Sequence, residues 1–96
     1  MNQDQKIAEI CKVLGVDTRI KIIRMLSEKC FCVGALSKRL GITPGAVSQH
    51  LRILRSVGLV ISEKRGYFVH YCLNEDVLQD WQTDVGTILE LKAASK

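Results

Sequence analysis

The sequence predicts a mainly α-helical fold with one small β-hairpin, in the order α-α-α-α-β-β-α. Apolar residues recur at helical spacing over most of its length, and two runs rich in β-branched residues flank a single Arg-Gly pair. A Thr-Pro-Gly segment lies between two short helical patterns and can start a new helix close to the end of another. We expect residues 1–96 to form a single domain, because this length accommodates one compact core.

Apolar spacing defines the first two helices. In the first helix, the residues at the repeating positions are Ile7, Ile10, Cys11 and Leu14. Gly15 ends that pattern, and Asp17 is a good N-cap for the second helix. The apolar positions of the second helix are Ile20, Ile23 and Leu26. Residues 27–31 break this pattern, so we predict a loop there.

The third and fourth helices are short and lie close together in the sequence. Gly41 closes the third helix, Thr43 can cap the fourth, and Pro44 suits its first turn. The apolar positions are Val33, Leu36 and Leu40 in the third helix, and Val47, Leu51 and Leu54 in the fourth. The opposite side of the fourth helix is polar and carries Ser48, Gln49, Arg52 and Arg55, with His50 near the boundary. Two short helices joined in this way predict a helix-turn-helix.

The hairpin and a last helix complete the predicted fold. Residues 59–64 and 67–73 are rich in β-branched and aromatic residues, and Arg65-Gly66 between them predicts a tight turn. Asn74 can cap the last helix, which we predict over about 75–92. Its apolar stripe consists of Leu78, Trp81, Val85, Ile88 and Leu89.

Positive charge is concentrated in the middle of the chain. Residues 17–72 contain ten Lys and Arg against three acids, a net charge of +7, whereas residues 73–96 carry −3. Such a basic segment favours a polyanion as partner. No apolar run is long enough to cross a bilayer and the N-terminal segment is polar, so we expect a cytoplasmic protein with no membrane partner. No paired carboxylates, phosphate-binding loop or Ser/Cys–His pair indicates an enzyme.

The polar side of the fourth helix has the chemistry that reads DNA. Arg can form two hydrogen bonds with guanine, Gln can bond adenine, and hydroxyls and amides near a helix start suit phosphates. Lys64 and Arg65 at the tip of the hairpin could reach an adjacent groove, which would make the hairpin a wing. The candidate DNA-binding residues are Thr43, Ser48, Gln49, His50, Arg52, Arg55, Lys64 and Arg65. A winged-helix module that binds protein instead of DNA is the alternative function.

Three segments within residues 13–73 resemble the ArsR/SmtB family of metal-responsive repressors. Residues 13–19 read VLGVDTR, residues 46–55 read AVSQHLRILR and precede GLV, and residues 66–73 read GYFVHYCL. The resemblance implies a winged helix-turn-helix fold and a homodimer joined by the first and last helices. It also implies a transcriptional repressor that binds double-stranded DNA and leaves its operator when a ligand binds.

The two end helices, at about 5–14 and 75–92, supply the predicted dimer interface. Their stripes are strongly apolar for terminal helices, and a monomer of this size buries only a modest share of its surface. We predict a two-fold interface that consists of Ile7, Ile10, Leu14, Leu78, Trp81, Val85 and Ile88. Two-fold symmetry would require an operator with inverted repeats.

The cysteines are candidates for a sensing site. Without an export signal, we expect reduced thiols and no disulfide framework. Cys30 and Cys32 resemble the Cys-x-Cys pair with which some family members bind soft ions, although that pair would fall at positions 32 and 34. The resemblance implies a thiophilic metal or metalloid effector, such as arsenite, antimonite, cadmium or lead. Cys11 is the expected further ligand, since the first helix should pack near the others.

The same residues permit other interpretations. Cys30 and Cys32 could form a reversible redox switch, or have no sensing role. We expect Cys72 to be structural or idle, and His70 to be a half-exposed strand residue rather than a metal ligand. The last helix, at 75–92, contains no His, and its acidic residues are expected to form a solvated face made of Asp76, Asp80 and Asp84.

Overall fold

The computed structural model describes residues 2–90, which form five helices and three strands. The elements in chain order are α1 (Gln3–Val13), α2 (Asp17–Leu26), β1 (Phe31–Cys32), α3 (Val33–Leu40), α4 (Pro44–Ser56), β2 (Val60–Arg65), β3 (Phe68–Leu73) and α5 (Glu75–Leu89). The prediction of a mainly helical fold with a hairpin is confirmed. The part of the predicted last helix beyond residue 90 lies outside the described residues. Among the helices of residues 2–90, none combines the length and apolar character needed to cross a membrane.

Side-chain caps mark three of the helix starts. Thr43 accepts a hydrogen bond from the amide of Ala46 at 3.1 Å, as its position before Pro44 predicts. Asn74 likewise caps α5, and Asn2 caps α1. The prediction of Asp17 as the N-cap of α2 was wrong by one position, because Val16 is the N-cap and Asp17 is the first residue of the helix. There its carboxylate still interacts favourably with the positive end of the helix dipole.

One apolar core joins the five helices and the sheet. The side chains buried in it are Ile10, Val13, Ile22, Leu26, Phe31, Leu36, Val47, Leu51, Leu54, Leu59 and Val60. Helix α4 contributes three of these residues, all from one side at helical spacing. The position of α4 is therefore determined by its own buried side, and its other side is left free.

The sheet has one more strand than the sequence predicts. Strand β1 pairs antiparallel with β3, which gives the strand order β1-β3-β2. The predicted loop over residues 27–31 therefore ends one residue early, at Cys30. Phe31 begins β1, lies opposite Tyr71 and is only 4% exposed. Burial of this aromatic side chain in the core brings β1 against the hairpin. A strand of two residues is too short to show a periodic pattern, and its pairing partner lies forty residues away in the sequence. The sequence therefore contains no local sign of β1.

Candidate nucleic-acid interface and cysteine pair

Helix α4 presents a polar surface to solvent. Its buried side consists of Val47, Leu51 and Leu54. The residues on its opposite side are all exposed, and we call them the recognition face: Ser48, Gln49, Arg52 and Arg55. The prediction that these side chains project outward is confirmed, and their contact with DNA stays a prediction. Two guanidinium groups and an amide lie on one open helix surface. Their hydrogen-bond donors and acceptors can pair with the complementary groups on the edges of DNA bases.

The turn between α3 and α4 is held by local hydrogen bonds. Gly41 has a left-handed backbone with φ of 70°, which ends α3 without the steric cost that a side chain would bring. The hydroxyl of Ser37 donates to the carbonyl of Ile42, and Thr43 caps α4. These contacts set the angle between the two helices of the helix-turn-helix motif and therefore the direction in which the recognition face points.

His50 is held by an arginine from another helix. Its Nδ1 accepts a hydrogen bond from Nε of Arg19 at 3.2 Å, so the proton of the neutral imidazole is on Nε2. Arg19 also donates from Nη1 to the carbonyl of Val13 at 3.0 Å. Arg19 thus links the end of α1 to α4. The sequence predicts His50 as a DNA-binding residue but contains no sign that Arg19 is its partner.

The hairpin tip carries both charge and aromatic surface. Lys64 and Arg65 are exposed, and Arg65 forms an exposed ion pair with Glu63. Tyr67 is 100% exposed, and Phe68 beside it is also exposed. The sequence pattern identifies these two aromatic residues only as strand formers. A Tyr-Phe pair directly after the Gly of a tight turn was the signal that could have placed them at the tip.

The structure joins Cys30 to Cys72 by a disulfide with a Cα–Cα distance of 4.5 Å. The prediction of reduced thiols was therefore wrong for this pair, and of the two expectations for Cys72, structural or idle, the disulfide agrees with the structural one. The reason lies in the strand register. Because Phe31 pairs with Tyr71 in antiparallel strands, Cys30, the residue just before β1, lies opposite Cys72, the residue that follows Tyr71 in β3. A pair that close is within the usual range for a disulfide, about 4.4–6.8 Å between Cα atoms.

The predicted ligand set of Cys11, Cys30 and Cys32 is not assembled. Cys11 is exposed on α1, because its neighbour Ile10 points into the core and the next helical position turns away from it. Cys32 is half-buried at the start of α3, and the sulfur of Cys30 is bonded to Cys72. Within residues 2–90, no three side chains of His, Cys, Asp or Glu are grouped so that they could hold a metal ion. The residues present in the oxidised chain do not fit the soft-metal site that the resemblance implies.

His70 lies next to this disulfide and has an unusual environment. It is the cross-strand partner of Cys32, and its Nδ1 atom is buried without a hydrogen-bond partner in the described part of the chain. Buried polar atoms are nearly always paired, so this nitrogen marks a place where a bonding partner is expected. The sequence predicts His70 as a half-exposed strand residue and gives no sign of this unpaired nitrogen.

Helices α1 and α5 pack together and leave apolar side chains uncovered. The indole Nε1 of Trp81 donates to the carbonyl of Ile7 at 3.4 Å. Ile10 is only 2% exposed in the single chain, so its predicted place in a dimer interface was wrong: it belongs to the chain's own core. No residue of α5 is buried, and Ile88 is exposed. The apolar stripe of α5 therefore lacks full cover within one chain.

Comparison with known proteins agrees with this arrangement. A family model described as "Bacterial regulatory protein, arsR family" matches residues 16–62. The chain is 31% identical to the transcriptional repressor SdpR of Bacillus subtilis, over 74% of this chain and 79% of SdpR. It is 35% identical to the transcriptional activator HlyU of Vibrio cholerae, over 90% of this chain and 73% of HlyU. It is 36% identical to the arsenical resistance operon repressor of Escherichia coli, over 72% of this chain and 60% of that protein.

Solved structures give the same result. HlyU from Vibrio cholerae superposes with a TM-score of 0.73 at 33% identity, over 86% of this chain and 92% of that chain. The homodimeric winged helix-turn-helix DNA-binding domain of Mb0332 from Mycobacterium bovis superposes with a TM-score of 0.73 at 25% identity, over 90% and 81% of the two chains. The chain therefore belongs to the ArsR family of bacterial regulatory proteins, which are DNA-binding regulators of transcription and not enzymes.

Proposed function

We propose that the protein represses transcription as a homodimer that reads an inverted-repeat operator with its two α4 helices. The recognition face is the observation that carries this proposal. It presents Ser48, Gln49, Arg52 and Arg55 to solvent from a helix whose other side is fully buried. A helix held in this way can enter a major groove without rearranging the core. Lys64 and Arg65 on the wing would contact the adjacent backbone or groove.

A dimer is supported by the surface of α5. This helix has no buried residue in the single chain, although its stripe contains Leu78, Trp81, Val85 and Ile88. A second copy that packs α1 and α5 against the same helices would cover these side chains. The related domain from Mycobacterium bovis is homodimeric, which supports the same assembly. Its two-fold axis would place the half-sites about one helical turn of DNA apart, or a multiple of it.

The test begins with selection of an operator from a randomised duplex pool by the reduced protein. Arg52→Ala should then weaken operator binding by about 1–3 kcal/mol in a titration, and should relax the base preference at one position of each half-site. Lys12→Ala is the matched control, because Lys12 is exposed on α1 and its loss removes the same charge. Equal binding by wild type and Arg52→Ala would contradict the proposed recognition face. Binding that does not depend on salt would instead favour a protein-binding module.

Regulation through the cysteines is the second part of the proposal. The Cys30–Cys72 disulfide specifically supports thiol chemistry as the signal, since it connects the segment that enters α3 with the wing strand β3. In thiol–disulfide exchange with a small-molecule disulfide, the two thiols lose two protons and two electrons as their bond forms, and the oxidant leaves as two thiols. The arsenical resistance operon repressor among the relatives supports a thiophilic effector as the other form of the signal.

Operator affinity of the oxidised and the dithiol-reduced protein would test this second part. We expect the two forms to differ by about 5- to 150-fold, the usual range of coupling between sites. The difference should vanish in Cys30→Ser and persist in Cys11→Ser, because Cys11 is not bonded to either half of the pair. Identical affinity of the oxidised and reduced wild type would rule out the disulfide as a signal and leave the DNA-binding proposal intact.

A further inference from the structure

We propose that Tyr67 and Phe68, at the tip of the wing, enter the minor groove beside the major groove that α4 occupies and unstack one base step there. We call these two residues the aromatic tip. The inference rests on the proposed function and goes beyond it, because that proposal assigns to the wing only the charged contacts of Lys64 and Arg65. The aromatic tip adds an apolar contact with base faces and a kink in the bound duplex.

The turn of the hairpin places Tyr67 at its outermost point. Arg65 pairs with Phe68, so the loop between β2 and β3 consists of Gly66 and Tyr67. Gly66 has a φ of 64°, and a side chain added there would meet no atom within 4 Å, so the turn stands clear of the rest of the chain. A two-residue loop with Gly at its first position matches the twist of the strands that it joins. The paired strands therefore carry the aromatic tip on a short, defined turn.

The aromatic tip has little cover within the chain. Tyr67 is 100% exposed and Phe68 is 64% exposed, whereas Tyr71, further along the same strand, packs against the core. Each ring can bury about 150–250 Å² in a contact, so two adjacent exposed rings form an apolar patch of the size that marks an interaction site. The ring of Tyr67 contributes no packing to the fold, and a partner surface can cover it without loss of any contact inside the chain.

The charges around the aromatic tip select DNA as the partner. Lys64 and Arg65 directly precede the turn, and residues 60–73 contain a single acidic residue, Glu63, whose carboxylate is paired with Arg65. Cations beside exposed rings complement a surface on which phosphates border apolar base faces, and duplex DNA has that combination. An apolar protein groove would cover the rings but would leave the two cations without partners.

The dimensions of the two DNA grooves separate the roles of α4 and the aromatic tip. The major groove is about 12 Å wide and admits a helix, whereas the minor groove is about 6 Å wide and admits side chains from a narrow hairpin tip. Proteins that bind in the minor groove often insert apolar side chains such as Phe between base steps, which kinks the duplex by about 20–90°. An exposed ring such as that of Tyr67 can then stack on the face of an unstacked base.

Salt dependence distinguishes this contact from the charged contacts of the wing. A lysine on a phosphate releases counterions, whereas a ring on a base releases none. Tyr67→Ala should therefore leave the slope of log affinity against log salt unchanged. It should lower operator affinity by about 5-fold or more, the lower end of what stacking on an aromatic side chain contributes, because unstacking of the duplex offsets part of the gain. Tyr67→Phe retains the ring and should bind like wild type.

Operator titrations of these variants at several salt concentrations are the first test. Because Tyr67 is wholly exposed, neither of its substitutions should change the temperature of unfolding, so a loss of affinity is not a loss of fold. Ile20→Ala is the matched control: it removes another apolar side chain, 41% exposed on α2, and should bind like wild type. Equal operator affinity of wild type and Tyr67→Ala would overturn the proposal.

Operator duplexes with 2-aminopurine at successive positions beside each half-site report unstacking directly. Saturating wild type should raise the fluorescence at one of these positions, and saturating Tyr67→Ala should not. Operator binding by the wild type with no such rise at any position would refute insertion. If Arg52→Ala weakened operator binding and Tyr67→Ala did not, the proposed function would stand and the aromatic tip would be left for a protein partner. A wild type that bound no duplex would refute both.

Discussion

Helix α4 and strand β1 are held in place by different means. Helix α4 has its own cap at Thr43 and its own buried side, so residues within a short stretch of sequence determine its structure and its exposed face. Strand β1 has only two residues and exists through its pairing with β3, some forty positions away. A surface defined by local periodicity can be located from the sequence alone, whereas a site defined by strand register becomes visible only when the partner strand is known.

The largest expected effect concerns the buried side of α4. Leu54 is 0% exposed, so Leu54→Ala should leave a cavity and lower the free energy of unfolding by about 2–5 kcal/mol. Arg55→Ala, one position further on the exposed side, should change it by less than about 0.5 kcal/mol. Chemical denaturation of both variants measures the contrast. Similar losses in the two would mean that α4 is not positioned by its buried side.

The next effect concerns the covalent link of β1. The Cys30–Cys72 disulfide closes a loop with a sequence separation of 42, so its reduction should lower the free energy of unfolding by about 2–4 kcal/mol. Denaturation with and without a dithiol would reveal this loss in the wild type and in Cys11→Ser. In Cys72→Ser the dithiol should have no effect. A dithiol-insensitive wild type would show that β1 is held by burial of Phe31 and its pairing with β3 alone.

A smaller effect on stability is expected at the link that Arg19 forms between the end of α1 and helix α4. Arg19 connects the carbonyl of Val13 and the ring of His50, so Arg19→Gln should cost about 1 kcal/mol of stability. His50 would lose the donor that orients its ring, and operator affinity should fall with it. Thermal denaturation and an operator titration measure the two effects. As a control, Arg24→Gln removes an exposed cation from the same helix and should affect neither quantity.

The same contrast explains how much the sequence could predict. The helices, the helix-turn-helix motif and the outward side of α4 followed from apolar spacing and from caps such as Thr43. Strand β1 and the disulfide did not, because no local pattern indicates that residue 30 lies opposite residue 72. The role assigned to Cys11 failed for a related reason. Its place in the apolar stripe of α1 suggested that it faces the neighbouring helices, but only Ile10 and Val13 of that helix are buried and Cys11 is exposed.

The smallest expected effect distinguishes the wing from the recognition face. Lys64 is exposed on the open end of the hairpin, where a phosphate contact contributes charge but little sequence information. Lys64→Ala should therefore weaken binding to operator and to unrelated duplexes by the same factor, and should lower the slope of log affinity against log salt by about 1. Arg52→Ala, by contrast, should weaken binding to the operator more than to unrelated duplexes.

Titrations at several salt concentrations, with operator and scrambled duplex in parallel, measure both quantities. Glu63→Gln is an informative control for the wing, because it releases Arg65 from its ion pair and should strengthen binding to both duplexes slightly. If Lys64→Ala selectively weakened operator binding, the wing would be reading bases. Sequence recognition would then depend on the strand-paired hairpin as well as on the locally determined helix α4.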